Sequence, residues 1–170
     1  MSRIPLIAAS LLLVLLTTCA TFRAPPATTF VIVRHAEKVA DDSRDPALTA
    51  EGRARAQRLA TALATAPLVA VYATGFQRTQ QTAAPTAQAH ALPVTTYDAE
   101  MPVAEFAALL LRNHRHGHVL VVAHSNTAPA IAAALCGCEV APMDENEYDR
   151  RMTVRLAGNG AATLTSESVP

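Results

Sequence analysis

The sequence predicts an α/β fold: a three-layer α/β/α sandwich around a mostly parallel central sheet. Phe30-Val31-Ile32-Val33 and Val119-Leu120-Val121-Val122-Ala123 are unbroken apolar runs, the pattern of strands buried on both faces. Strand-like segments alternate with segments of helical period along the chain, the order of a parallel-dominated sheet covered by helices. Both apolar runs lead directly into a histidine, His35 and His124. Ligands of open sheets bind beyond the carboxyl ends of the strands. If the two strands are neighbours, both imidazoles and the guanidinium of Arg34 converge on one crevice. Such a crevice suits a dianionic phosphate.

Each element has its own signal. Strand one is the run ending at Arg34-His35, and a charged loop with Asp41, Asp42, Arg44 and Asp45 follows it. Thr49 is a plausible N-cap for a first helix, with Glu51 in its first turn. Ala56, Leu59, Ala60 and Leu63 recur at helical spacing there, and Arg53, Arg55 and Arg58 line the other side. Residues 68–73 form a second strand, and Thr74-Gly75-Phe76 turns into a second helix over residues 78–90. Pro85 either sits inside that helix and kinks it or divides it. Residues 93–97 read as a third strand, and Pro102 opens a third helix with Phe106, Leu109 and Leu110 on one face. That helix ends near His114, with Gly117 as its C-cap. The second histidine-terminated strand and a helix over residues 127–135 come next. A final hairpin joins residues 152–156 and 162–165 around Gly158-Asn159-Gly160.

Composition bounds the function. The 170 residues are 51% hydrophobic and 16% charged, as expected of one globular domain. Aromatics make up 4% and Trp is absent, so the core is built from Ala, Leu and Val. The formal net charge is +0, which argues against a nucleic-acid partner. Any anion site therefore comes from local placement of charge, nearly all of it arginine, since Lys38 is the only lysine.

The amino-terminal residues 1–20 read as a targeting leader. Arg3 precedes an apolar stretch over residues 4–16, shorter than the ~20 residues of a membrane-spanning helix and suited to a secretory signal. Leu16-Thr17-Thr18-Cys19 resembles a bacterial lipobox, which would make Cys19 the lipidated residue, although Thr18 is an unusual choice there. Ordinary cleavage near Ala20 is the other route. Either places the protein in the periplasm or cell envelope, touching membrane only through the leader or a lipid anchor. Residues 21–28 form a linker, and residues 29–167 the domain. Cys136 and Cys138 are expected to be buried thiols at a helix end, because so short a loop is poorly suited to a disulfide.

The chemistry centres on Arg34-His35. A neutral imidazole can attack phosphorus and carry the phosphoryl group covalently. Arg34 would offer a planar fork to two phosphoryl oxygens. Arg78 stands at a helix start after strand two, where helix dipole and guanidinium face the same crevice. His124 is followed by Ser125-Asn126-Thr127 at another helix start, also suited to an anion. Lys38, just past the nucleophile, and Asn126 are placed to contact substrate. His114, His116 and His118 have a metal-like composition, but their position at a helix end and turn equally fits complementing the dipole.

These residues resemble a known family. Val33-Arg34-His35-Ala36-Glu37 is similar to the Arg-His-Gly signature of the histidine phosphatase superfamily, which includes the cofactor-dependent phosphoglycerate mutases. Leu48-Thr49-Ala50-Glu51-Gly52 with Ala56-Gln57 resembles its first-helix motif. Val71-Tyr72-Ala73-Thr74 with Gln77-Arg78-Thr79-Gln80-Gln81-Thr82-Ala83 is similar to its second arginine motif, and Val122-Ala123-His124-Ser125-Asn126 to its second-histidine motif.

The resemblance implies a phosphoglycerate mutase-like fold, His35 as nucleophile, and Arg34, Arg78, His124 and Ser125 as the phosphate pocket, without a metal or other cofactor. It implies a phosphatase acting on a phosphorylated small molecule or phosphoprotein. Ala36 and Ala123 depart from the usual glycines and are expected to narrow the pocket. A carboxylate beyond strand three protonates the leaving oxygen in many members. Glu100 is the first candidate here, Asp98 the alternative, and the cluster Asp144-Glu145-Asn146-Glu147 a more distant one. Without such an acid, good leaving groups such as phosphohistidine are favoured, as in the short-chain branch. The short segment between Tyr97 and Pro102 argues against mutase activity and for an open pocket. A non-catalytic phosphate-recognition or envelope-interaction module is the competing reading. A serine hydrolase around Ser125 fits poorly, because both glycines of the nucleophile elbow are missing.

Overall fold

The computed structural model describes residues 27–41 and 43–169. The expected leader, Cys19 and most of the linker lie outside them. A six-stranded sheet runs in the order β3-β2-β4-β1-β5-β6. Its strands are β1 (Thr28–Arg34), β2 (Leu68–Thr74), β3 (Val94–Tyr97), β4 (Gly117–Ala123), β5 (Arg150–Leu156) and β6 (Ala162–Ser168). The first four pair in parallel, and β5 and β6 add an antiparallel edge. The helices are α1 (Ala50–Ala62), α2 (Gln77–Ala89), α3 (Val103–Asn113) and α4 (Ala128–Cys136). Among the described residues no helix is long and apolar enough to cross a membrane.

The strand pleat explains the layers. Phe30 and Ile32 share a core with Phe106 and Leu110 of α3 and Ile131 and Leu135 of α4. Val31 and Val33, one residue out of phase, pack with Leu59 of α1, its C-cap Leu63, and Ala83 and Ala87 of α2. Every residue of β1 is buried, as the unbroken apolar run requires. The predicted three-layer sandwich is the observed one.

Of the two alternatives for Pro85 one is observed, and two other local expectations are corrected. Pro85 sits inside a single continuous α2, where it forfeits one backbone donor while Thr82, Ala83, Thr86 and Ala87 around it stay buried. Gly117 does not cap α3, which ends at an extended His114. It opens β4 instead at φ +80°, where an added Cβ would lie 2.6 Å from Val69 Cγ1. Cys136 and Cys138 are joined in a disulfide rather than left as thiols. Gly137 caps α4 in the left-handed region, and that turn brings the two Cα atoms to 5.2 Å, within bridging range.

Thr49 caps α1 by accepting from Gly52 N at 3.0 Å, and its own N–H donates to Glu37 O at 2.9 Å. This locks the segment after β1 onto the helix start. An added Cβ at Gly52 would fall 2.2 Å from that same carbonyl. Gly52→Ala is therefore expected to cost about 3 kcal/mol, as overpacking against backbone does. Thermal denaturation checks this. An unchanged Tm would show that the Glu37 turn yields freely.

Candidate active site

The site is built by two adjacent strands. β1 and β4 pair in parallel with Arg34 opposite Ala123, so the next residues, His35 and His124, leave the sheet side by side. His35 N donates to Ala123 O at 2.9 Å, extending the ladder by one rung. The imidazole centroids lie 5.4 Å apart, edge to face. The amino ends of α2 and α4 open on the same end of the sheet, as parallel strands followed by helices dictate. Arg78 is the second residue of α2. Gln77 N, in the first turn, is capped by Asp45 Oδ1 at 2.7 Å, and Arg78 Nη1 stands 3.9 Å from the same oxygen.

The tautomer of His35 follows from its partner. Nδ1 lies 2.8 Å from Ala36 O, and a carbonyl oxygen only accepts, so Nδ1 carries the proton and Nε2 the lone pair. His35 is 3% exposed. Burial lowers its pKa to about 3, opposed by the Ala36 hydrogen bond and reinforced by the charges of Arg34, His124 and Arg78. Burial, then Arg78 and Arg34, lowers His124 to about 4. Both rings are neutral near pH 7 in the free protein.

Depressed histidines have a cost in acid. Below the ordinary value of 6.5 the unfolded chain takes up protons that folded His35 and His124 refuse. Stability is therefore expected to fall as pH drops from 6.5 toward about 4 and 3, and to be unaffected by these groups above 6.5. Tm measured against pH should fall less steeply over that window in His124→Ala than in the wild type. An identical slope would contradict a neutral, buried His124.

The two arginines differ in what they leave free. Arg34 Nη1 donates to the carbonyls of Asp144, Glu145 and Glu147 at 3.1, 2.6 and 3.3 Å. Its Nη2 lies 3.2 Å from Glu145 Oε2, and its guanidinium stacks 4.1 Å from the Tyr148 ring. Much of the fork expected to grip phosphate thus anchors residues 144–147. The Nε atoms of Arg34 and Arg78 are buried without a hydrogen-bond partner. Both guanidiniums act electrostatically on His35, surroundings that suit an anion.

An open cavity of about 500 Å³ joins these groups. Arg34, His35, Arg78, His124, Lys38, Ser125, Asn126 and Glu100 all line it, so the sequence candidates meet in one place. Asp98 does not line this cavity; its Oδ1 accepts from Glu100 N at 2.9 Å in the turn that presents Glu100. Ala36 and Ala123 do not narrow the pocket: the first packs with Leu48 and Ala56, the second in the α3/α4 core. His114 Nε2 is engaged by Tyr72 Oη at 2.9 Å, and no group of three or more metal-binding side chains occurs among the described residues.

Sequence reasoning missed Phe76 and Tyr148. Phe76 lies edge-on to His124 at 5.5 Å and under Arg78 at 4.3 Å. Neither carries a sequence signal beyond being aromatic in a loop. Glu145, weighed only as a distant acid, accepts from Ser125 Oγ at 2.7 Å while pairing with Arg34. The Ser125 hydrogen bond, then Arg34, holds its carboxyl below the usual range. It is therefore an anion resting on phosphate donors, a poor proton source at neutral pH. Its side chain is 80% exposed, so the pair is weak. Glu145→Gln is expected to tighten inorganic phosphate inhibition about 3-fold, a gain of the size of an exposed ion pair. A weaker inhibition in the variant would mean that the carboxylate helps to bind phosphate.

A sequence model of the histidine phosphatase superfamily (branch 1) matches residues 30–101. A search of curated protein sequences finds no match. Among solved structures the chain is similar to the protein histidine phosphatase SixA complexed with tungstate, at 24% identity and TM-score 0.68, over 82% of this chain and 96% of that one. It is similar to a mycobacterial glucosyl-3-phosphoglycerate phosphatase, at 16% identity and TM-score 0.64, over 85% and 100%. A third is a phosphoserine phosphatase variant from Entamoeba histolytica in complex with phosphoserine, at 15% identity and TM-score 0.62, over 81% and 95%. At these identities the likeness establishes a shared fold.

Proposed function

We propose that the chain is a histidine phosphatase superfamily member, as the match over residues 30–101 supports, and a phosphatase that hydrolyses phosphomonoesters or phosphohistidine through a phosphoryl group carried on His35. One observation supports this most: His35, its ring proton held on Nδ1 by Ala36 O, lines one open cavity with Arg34, Arg78 and His124. The Nε2 atom attacks phosphorus, forming an N–P bond as the bond to the leaving oxygen or nitrogen breaks. Arg34, Arg78 and Ser125 stabilise the charge on the phosphoryl oxygens, and His124 joins them once it has taken a proton from the bound phosphoryl group. Glu100, at the cavity wall, is the proposed donor to an ester oxygen. Water then attacks the phosphohistidine, and Glu100 accepts its proton. His35 is restored and inorganic phosphate leaves. The two guanidiniums supply the countercharge without a metal ion.

The openness of the cavity favours a small or protein-borne phosphoryl group over a large shaped substrate. The location reading, export to the periplasm or envelope, is compatible with this geometry. The chain enters the sheet at Thr28, at the end opposite His35 and His124.

The test is turnover of an aryl phosphate and of phosphohistidine in excess chelator. Undiminished turnover is expected. Dependence on added divalent metal would overturn the metal-independent mechanism. Phosphate binding without turnover of either substrate would favour the non-catalytic recognition module.

A further inference from the structure

Resting on the phosphatase reading above, we propose that Thr74 and Thr79 are positioning residues that hold His124 with its proton on Nε2, leaving the lone pair of Nδ1 to take a proton from the bound phosphoryl group. The argument is a count of protons along a buried chain. Thr74 and Thr79 are 1% and 0% exposed, so neither hydroxyl has bulk water as an alternative partner. Thr79 Oγ1 lies 3.0 Å from Thr74 O and 2.8 Å from Phe76 O. Carbonyl oxygens only accept, so the single hydroxyl proton of Thr79 is committed to them. Thr74 Oγ1 is 2.8 Å from Thr79 Oγ1 and 3.1 Å from His124 Nε2. With the Thr79 proton spent, Thr74 donates to Thr79. The remaining contact is then filled by Nε2–H donating to Thr74 Oγ1. Reversing the chain would take the Thr79 hydroxyl from both carbonyls and leave Thr74 O to Gln80 Nε2 and Phe76 O to the Thr79 and Gln80 amides.

The result is a pair of rings in opposite tautomers. His35 presents a lone pair on Nε2 because Ala36 O takes its Nδ1 proton. His124 presents Nδ1 because Thr74 takes its Nε2 proton. Both threonines sit at the β2–α2 junction, β2 ending at Thr74 and α2 beginning two residues before Thr79. The same turn that places Arg78 therefore also sets the second imidazole. Orientation of an active-site imidazole by the hydrogen bond on its far nitrogen is a general device.

The experiment is long-range proton–nitrogen NMR of the full chain carrying ¹⁵N-histidine, with the His124 ring assigned through His124→Gln. The expected wild-type signature is Nε2 protonated on His124 and Nδ1 protonated on His35. Thr79→Val touches neither imidazole, yet it frees the Thr74 proton and is expected to shift His124 toward the Nδ1-protonated form. It should lower kcat/KM about 10-fold, as loss of an orienting hydrogen bond does. Thr79→Ser should restore both signature and rate. A wild-type His124 protonated on Nδ1, or an unchanged tautomer in Thr79→Val, overturns the proposal. Should Thr79→Val fail to fold, the wild-type and Thr79→Ser spectra still decide. Tautomers that follow Thr79 in a chain that turns over no phosphate ester would sustain the positioning role and remove the phosphatase reading instead.

Discussion

His35→Ala is expected to abolish turnover, with kcat lower by at least about 10³-fold, because the reaction loses the atom that bonds to phosphorus. Binding should survive. Arg34, Arg78, His124 and Ser125 remain around the cavity, so inorganic phosphate should still inhibit or protect with an affinity close to that of the wild type. The fold should also survive, since the ring makes one local hydrogen bond, to Ala36 O, and its removal relieves an imidazole buried against two guanidiniums. Steady-state kinetics alongside phosphate titration separates these effects. Retained turnover would move the nucleophile elsewhere.

The two arginines should fail in different ways when each is replaced by lysine. Arg78→Lys keeps a charge but loses the donor at Nε, one of the two buried Nε atoms left without a partner. A point ammonium does not reproduce a planar fork, and loss of one oxyanion donor predicts about a 10²-fold fall in kcat/KM. Its stability should barely change, because the nearest carboxylate, Asp45, stands at 3.9 Å. Arg34→Lys should lose as much activity and also destabilise the fold. Arg34 Nη1 holds the carbonyls of Asp144, Glu145 and Glu147 and the guanidinium lies against Tyr148. Lost hydrogen bonds to a charged group predict about 3 kcal/mol, or roughly 10 °C in Tm. Kinetics and calorimetry on both variants check the pattern. Equal Tm values for the two would mean that Arg34 does not tie residues 144–147 to the sheet.

Much of this site was legible because its residues are attached to the strongest pattern in the chain. An apolar run buried on both faces can be read without knowing its neighbours, and the residue after it must emerge at the sheet end. His35 and His124 were found that way. Their adjacency required β1 to pair with β4 across more than half the chain, which neither run encodes. Chemical plausibility and family resemblance supplied that step. What stayed hidden depends on turns. Glu145 reaches Ser125 through a loop whose path is set by Arg34. Thr74 and Thr79 belong to the second arginine motif, but no role for them is readable until the β2–α2 junction brings their hydroxyls to His124. The disulfide was misjudged because the bridging distance comes from a left-handed Gly137, a backbone choice that residue spacing alone does not reveal.

Rapid mixing with an excess of activated phosphoryl donor, a quench into base and mass analysis of the peptides would test the covalent step most directly. The mechanism predicts a single phosphoryl group on the peptide containing His35, lost on brief acid treatment and never formed in His35→Ala. A wild-type enzyme that turns over the donor with no such adduct, or an adduct that persists when His35 is replaced, would contradict it.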